Sequence, residues 1–187
     1  MARKHKVAVI VGSLSKASLN RKMAHALMAV APASLELSFV EIGDLPLYTP
    51  DFEADPPAAV PAFRERIAQS DALLFVTPEY NRSIPGVLKN AIDVGSRPYG
   101  KSVWGGKPAA VVSVSPGTIG GFGANQHLRQ TFVFLDIQPM QQPEAYIGGG
   151  AKLFDERGAL VNDSTREFIT KFMHSFASFV ERIRATR

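Results

Sequence analysis

The 187-residue sequence contains no cysteine. That excludes disulfide frameworks, thiolate zinc sites, iron–sulfur clusters and cysteine nucleophiles. Histidine is scarce as well: His5, His25, His127 and His174 are the only four, none at a metal-ligand spacing from another, so no metal site is expected. No stretch approaches the roughly 18 consecutive apolar residues of a membrane span. The run Val7 to Val11 is too short for a signal-peptide core and lacks a small-x-small cleavage site. It reads as a first strand, and a cytoplasmic protein is the expectation. The formal charge of +4 favours anionic partners. The basic residues at Arg3-Lys4-His5-Lys6 and at Arg182, Arg184 and Arg187 have no interleaved aromatics, however, so no nucleic-acid partner is expected.

What is present is an ordinary globular composition, 45% hydrophobic and 20% charged, long enough for one domain that buries roughly 70% of its unfolded surface. The periodicity switches repeatedly between strand and helix. Val7–Val11, Ala72–Val76 and Ala109–Val114 are continuous apolar runs, as in strands buried on both faces of a parallel sheet. Leu35, Leu37 and Phe39 alternate with polar neighbours, as on a strand nearer an edge, and Gln138 to Met140 reads as a fifth strand. Between them lie helical stripes. One starts near Ser18 and stops at Pro32, a short one carries Phe63 and Ile67, one has Pro85 in its first turn and stops by Gly95, and one runs from Ala124 to Phe134. Residues Gly43 to Pro61, with five prolines, read as a long connection. The last helix shows a wide face of Phe168, Ile169, Phe172, Met173, Phe176, Phe179, Val180 and Ile183, and Ser164-Thr165-Arg166-Glu167 resembles a capping box before it. Strands alternating with helices imply an α/β fold: a doubly wound parallel sheet with helices on both faces, and no second domain.

Such sheets bind ligands outside the carboxyl ends of their strands. Three loops fall there. Gly12-Ser13-Leu14-Ser15-Lys16-Ala17-Ser18-Leu19-Asn20 puts hydroxyl and amide side chains at a helix N-terminus, where unsatisfied N–H groups and partial positive charge suit a phosphate. Ser18 can equally serve only as the helix cap. With neither G-x-x-x-x-G-K-[ST] nor G-x-G-x-x-G present, a phosphomonoester wrapped by hydroxyls fits better than a P-loop or dinucleotide turn. Thr77 to Gly86 is stiffened by Pro78 and Pro85 and can present backbone groups to a flat heteroaromatic edge, or be a turn in which Tyr80 merely packs. Ser115 to Gly123 carries four glycines that permit close backbone approach. His127 and Arg129, on the helix that follows, face either a partner subunit or water.

These segments carry a resemblance. Gly12-Ser13 through Ser18-x-Asn20, Pro78-Glu79-Tyr80-Asn81 with Ser83-x-Pro85-Gly86-x-Leu88-Lys89-Asn90-Ala91-Ile92-Asp93, and Gly117 through Gly121 are similar to the NADPH-dependent FMN reductase family, within it the bacterial quinone and chromate reductase branch. The similarity runs over nearly the whole chain. It implies one flavodoxin-like FMN-binding domain over 1–187, a five-stranded sheet of order 2-1-3-4-5, and a homo-oligomer, dimer or tetramer. It also implies non-covalent FMN with NADPH or NADH as donor, and ping-pong hydride transfer through flavin N5 to quinones, chromate or similar acceptors. Carried onto matching positions, Ser13, Ser15, Ser18, Leu19 and Asn20 would hold the phosphate and ribityl end. Pro78, Glu79, Tyr80, Asn81 and Ser83 would border the isoalloxazine ring, with Ser115 and Gly117 on its other side. No side chain is assigned as catalytic, because the flavin carries the chemistry.

Two positions depart from the family pattern. Ser15 stands where relatives often have Arg, leaving Lys16 to supply charge. Arg82 stands where they often have an aromatic residue, and lines a substrate mouth suited to anionic acceptors or the NADPH phosphate, or is a solvated surface arginine. A flavodoxin-type electron carrier is the alternative, disfavoured by the basic balance and serine-rich first loop. A response-regulator-like switch lacks its carboxylate after strand one. A serine hydrolase lacks the first glycine of G-x-S-x-G before Ser115.

Overall fold

The computed structural model describes residues 4–186, so Arg3 and Arg187 of the two basic clusters lie outside the described residues. Strands β1 (His5–Val11), β2 (Leu35–Phe39), β3 (Ala72–Thr77), β4 (Pro108–Val114) and β5 (Gln138–Pro139) form one sheet in the order β2-β1-β3-β4-β5. Every pairing is parallel. This is the order expected of a flavodoxin-like fold. The fifth position is shared: β5 pairs only with Pro108 and Ala109, and a further strand, β6 (Ala145–Ile147), takes over beside Val112 to Val114. The expected strand Gln138–Met140 is thus shorter than its pattern, although Met140 N–H still donates to Ala109 O at 2.7 Å.

The apolar runs fill both faces because a parallel sheet covered by helices has no wet side. Val7, Val9 and Val11 pack with Met23, Ala24 and Leu27 of α1 (Leu19–Ala29) and with Ile169, Phe172, Met173 and Phe176 of α5 (Asp163–Ala185). Ala8, Ile10, Leu73 and Phe75 point the other way, onto Phe63 and Ile67 of α2 (Ala59–Ala68), Leu88 and Ile92 of α3 (Gly86–Ser96), and Leu128 and Phe132 of α4 (Phe122–Leu135). Each fully buried side chain of this size is worth about 1.5–3 kcal/mol, so the two layers supply most of the drive to fold.

Boundaries differ from the sequence reading in four places. A 3-10 turn over Pro50–Phe52 and the first turn of α2 interrupt the long connection, and α4 begins two residues earlier than its apolar stripe. Pro85 occupies the N-cap of α3 rather than its first turn. At α5 the N-cap is Asn162, whose Oδ1 accepts from Thr165 N–H at 2.8 Å. Ser164 therefore does not cap; its hydroxyl donates to Asn162 Oδ1. Asn competes with Ser as a cap, and here it precedes the helix by one residue with extended backbone.

Candidate functional site

Parallel β1, β3 and β4 lie side by side, so the loops after them emerge at one edge. They also touch. A Cβ on Gly12 would stand 2.7 Å from Thr77 Oγ1, so the first loop leaves β1 against the end of β3. Asn20 Nδ2 donates to Val114 O at 3.1 Å, tying α1 to the end of β4. A Cβ on Gly121 would stand 3.7 Å from Glu79 Cβ, which brings the third loop to the second.

In the first loop Ser18 is buried and its Oγ accepts from Arg21 N–H at 3.1 Å, capping α1. Ser13 Oγ accepts from Ser15 N–H at 3.4 Å, and the Ser15 side chain is exposed. An accepting hydroxyl keeps its own proton to donate. The cap role of Ser18 is therefore compatible with a phosphate contact rather than an alternative to it. Leu19 and Asn20 open α1, where first-turn N–H groups have no intrahelical partner. Asn20 is 3% exposed, and its Oδ1 is buried without a hydrogen-bond partner. Because Val114 O only accepts, the amide orientation is fixed and the orphan atom is an acceptor awaiting a donor.

The second loop is a tight turn. Tyr80 and Ser83 exchange both backbone bonds at 3.0 Å, with Asn81 at φ 52° and Arg82 at φ 62° between them. Left-handed backbone is tolerable for Asn but uncommon for Arg. The turn rests on α4: Arg82 O lies 2.8 Å from where a Cβ of Gly123 would be, and Ser83 Oγ lies 3.0 Å from His127 Nδ1. Glu79 Oε2 accepts from Ala124 N–H at 3.0 Å and Oε1 from Arg82 Nη1 at 3.2 Å. The Glu79 side chain is 11% exposed and that of Arg82 71%, so the glutamate is spent on the protein while the arginine stands mostly in water. Tyr80 is exposed rather than packed. His127 stays exposed while bonding Ser83 Oγ, and Arg129 is half-buried and bonds Asn125 Oδ1 and Met140 O, so the arginine is not simply a solvated helix residue.

In the third loop Ser115 Oγ donates to Gly117 O at 3.1 Å, and the same carbonyl accepts from Gly149 N–H. The loop is backed by Gly148-Gly149-Gly150. A Cβ on Gly148 would meet Thr118 O at 2.5 Å, and one on Gly150 would meet Ser115 O at 3.1 Å. These glycines, and the capping role of Glu79, escape sequence reasoning. The triple glycine is a visible signal; Glu79 stands out only as part of its motif, and nothing announces its bond to Ala124. Near them Tyr146 packs edge-on against Phe122, and burial, reinforced by Glu144, pushes its phenol up to about 12. A wide cleft of about 570 Å³ between Met140–Gln142 and His174–Arg182 lies beside the start of β4, away from the three loops. Among the described residues no group of three or more His, Asp or Glu could hold a metal, and no helix is long and apolar enough to cross a membrane.

The sequence profile of the NADPH-dependent FMN reductase family matches residues 5–152. A quinone reductase of Pseudomonas putida is 64% identical over 186 residues, covering 99% of this chain and all of its own length. A 2-hydroxy-1,4-benzoquinone reductase of Burkholderia sp. is 50% identical over 94% of this chain and 96% of its own. The solved structure of the flavoenzyme FerB, an NAD(P)H:(acceptor) oxidoreductase from Paracoccus denitrificans, superposes with a TM-score of 0.90 at 44% identity, over 95% of this chain and 98% of that one.

Proposed function

The chain belongs to the NADPH-dependent FMN reductase family, and from that premise we propose that residues 1–187 form one FMN-binding domain that oxidises NAD(P)H and reduces quinones, with chromate and similar oxidants as further acceptors. FMN, when bound, would supply hydride-transfer chemistry at its ring N5 between NAD(P)H and an acceptor, in keeping with a ping-pong cycle. The protein's share is binding, orientation and exclusion of water. The family's habit of dimers or tetramers and a cytoplasmic location go with this proposal.

The residues fit the cofactor. Ser13, Ser15 and Ser18 retain hydroxyl protons for phosphate oxygens, the free first-turn N–H groups of Leu19 and Asn20 add donors at the positive end of α1, and Lys16 adds charge. Asn20 Oδ1, buried and unpaired, takes a ribityl hydroxyl rather than the phosphate, because an acceptor cannot bond an acceptor. Pro78, Tyr80, Asn81 and Ser83 border the ring through a turn whose backbone is locked by its own bonds, and Ser115 and Gly117 close the other side. Arg82, at the rim, meets anionic acceptors or the NADPH phosphate.

It rests on one observation: the loops after β1, β3 and β4 meet at one edge of the sheet, and there Asn20, tied to the end of β4, keeps a buried acceptor that lacks a donor. The test is the visible spectrum of the protein loaded with FMN, followed by anaerobic NADPH and then a quinone. Bleaching by NADPH and recovery with quinone are the expected result. Flavin that binds but does not bleach would make the chain an electron carrier of the flavodoxin type, and failure to take up FMN would overturn both.

A further inference from the structure

We propose that Glu79 is a positioning residue that sets the gap between the 78–83 turn and the glycine loop, with its carboxylate serving as the cap of α4 instead of touching the cofactor. This rests on the reading of those two loops as the walls of the FMN ring site. Helix α4 starts after Gly121, which sits at φ 76° and has no side chain with which to cap. Its first-turn N–H groups therefore need an acceptor from elsewhere. Glu79 supplies it from the end of β3: Oε2 lies 3.0 Å from Ala124 N, at the end of the helix where negative charge is favoured.

The same carboxylate holds Arg82 at 3.2 Å, across the turn whose left-handed backbone needs outside support. Gly123 completes the arrangement. A Cβ there would stand 2.8 Å from both Glu79 Oε2 and Arg82 O, so turn and helix meet at a distance only glycine allows. Gly121, the N-cap of α4, is also part of the glycine loop. A cap that pins the turn to α4 thus fixes the turn against that loop as well.

The cap and the phosphate loop act on different ends of the cofactor, which separates their effects. Apoprotein is titrated with FMN and with riboflavin, and Trp104 fluorescence confirms that each variant is folded. Glu79→Ala should raise the Kd for both flavins by the same factor, about tenfold, since the ring is common to both and the phosphate is not. Glu79→Gln keeps an oxygen for Ala124 N–H and should restore both affinities to within about threefold of wild type. Gly123→Ala, which wedges the turn off the helix without touching the carboxylate's identity, should reproduce the equal loss, and with Glu79→Gln it decides the question if Glu79→Ala does not fold. A Gln variant as weak as the Ala variant, a loss confined to FMN, or wild-type affinity in all three would overturn the proposal while leaving FMN binding intact. A wild-type protein that takes up neither flavin would instead overturn the ring-site reading on which it rests.

Discussion

Gly95 lacks a side chain because an indole fills its place. A Cβ there would stand 2.5 Å from Trp104 Cε2 and Nε1. Trp104 is fully buried, donates from Nε1 to Ile92 O at 2.9 Å, and packs against Phe63 and Phe75. Gly95→Ala must push the ring off that carbonyl, and forced overpacking of this kind costs about 1–3 kcal/mol. Trp104 is the sole tryptophan, so its own emission during urea denaturation reports the result. The midpoint should fall; an unchanged midpoint would mean the loop absorbs the methyl. Tyr146 offers a test in the alkaline range. Its phenol is raised from 10.0 to about 12, first by burial and then by Glu144. A raised folded-state pKa means the stabilisation is complete below the unfolded value and is lost as pH climbs through the folded one. Melting temperature should therefore decline between pH 10 and 12, and Tyr146→Phe, which has no proton to lose, should flatten that decline.

At the scale of elements, α5 separates a sequence motif from the cap in use. Asn162 Oδ1 accepts from Thr165 N–H, whereas Ser164 merely donates to Asn162. Asn162→Ala should cost about 1 kcal/mol, and Ser164→Ala much less; thermal melts of the two variants that ranked the other way would restore the capping-box reading. The difference shows what local pattern can carry. β1, β3 and β4 are legible because burial on both faces leaves unbroken apolar runs, and the stripe of α5 is legible because its residues share one face. β6 is not, since three residues beside β4 hold no period of their own. At the site, the serines and Asn20 are legible from their place after β1. That Asn20 presents an orphan acceptor depends on Val114, which lies 94 residues away. Glu79 is legible as part of a motif, but its partner Ala124 is 45 residues on, and no spacing in the chain announces that bond.

Across the whole molecule the two edges of the sheet do different work. The carboxyl edge gathers left-handed Asn81 and Arg82, the close-packed glycines and exposed Leu14 and Tyr80, features that cost stability and suit a ligand. The opposite edge is pinned. Buried Asp71, just before β3, accepts from Lys6 N–H at 2.9 Å and pairs with Arg184 of α5 at 2.9 Å, while Lys107 Nζ reaches Ser70 O at 2.7 Å. One side of that ion pair is 6% exposed and the other 33%, so the several kcal/mol lost on breaking a fully buried pair must be discounted for screening. Arg184→Ala should then cost about 1–3 kcal/mol in denaturant unfolding. Because the strands lie between this pair and the three loops, the FMN affinity of the folded variant should stay within about twofold of wild type, a change well under 1 kcal/mol. A parallel loss of affinity would show that the rigid strands transmit strain from edge to edge, and that the site draws its geometry from the far end of the sheet rather than from the loops alone.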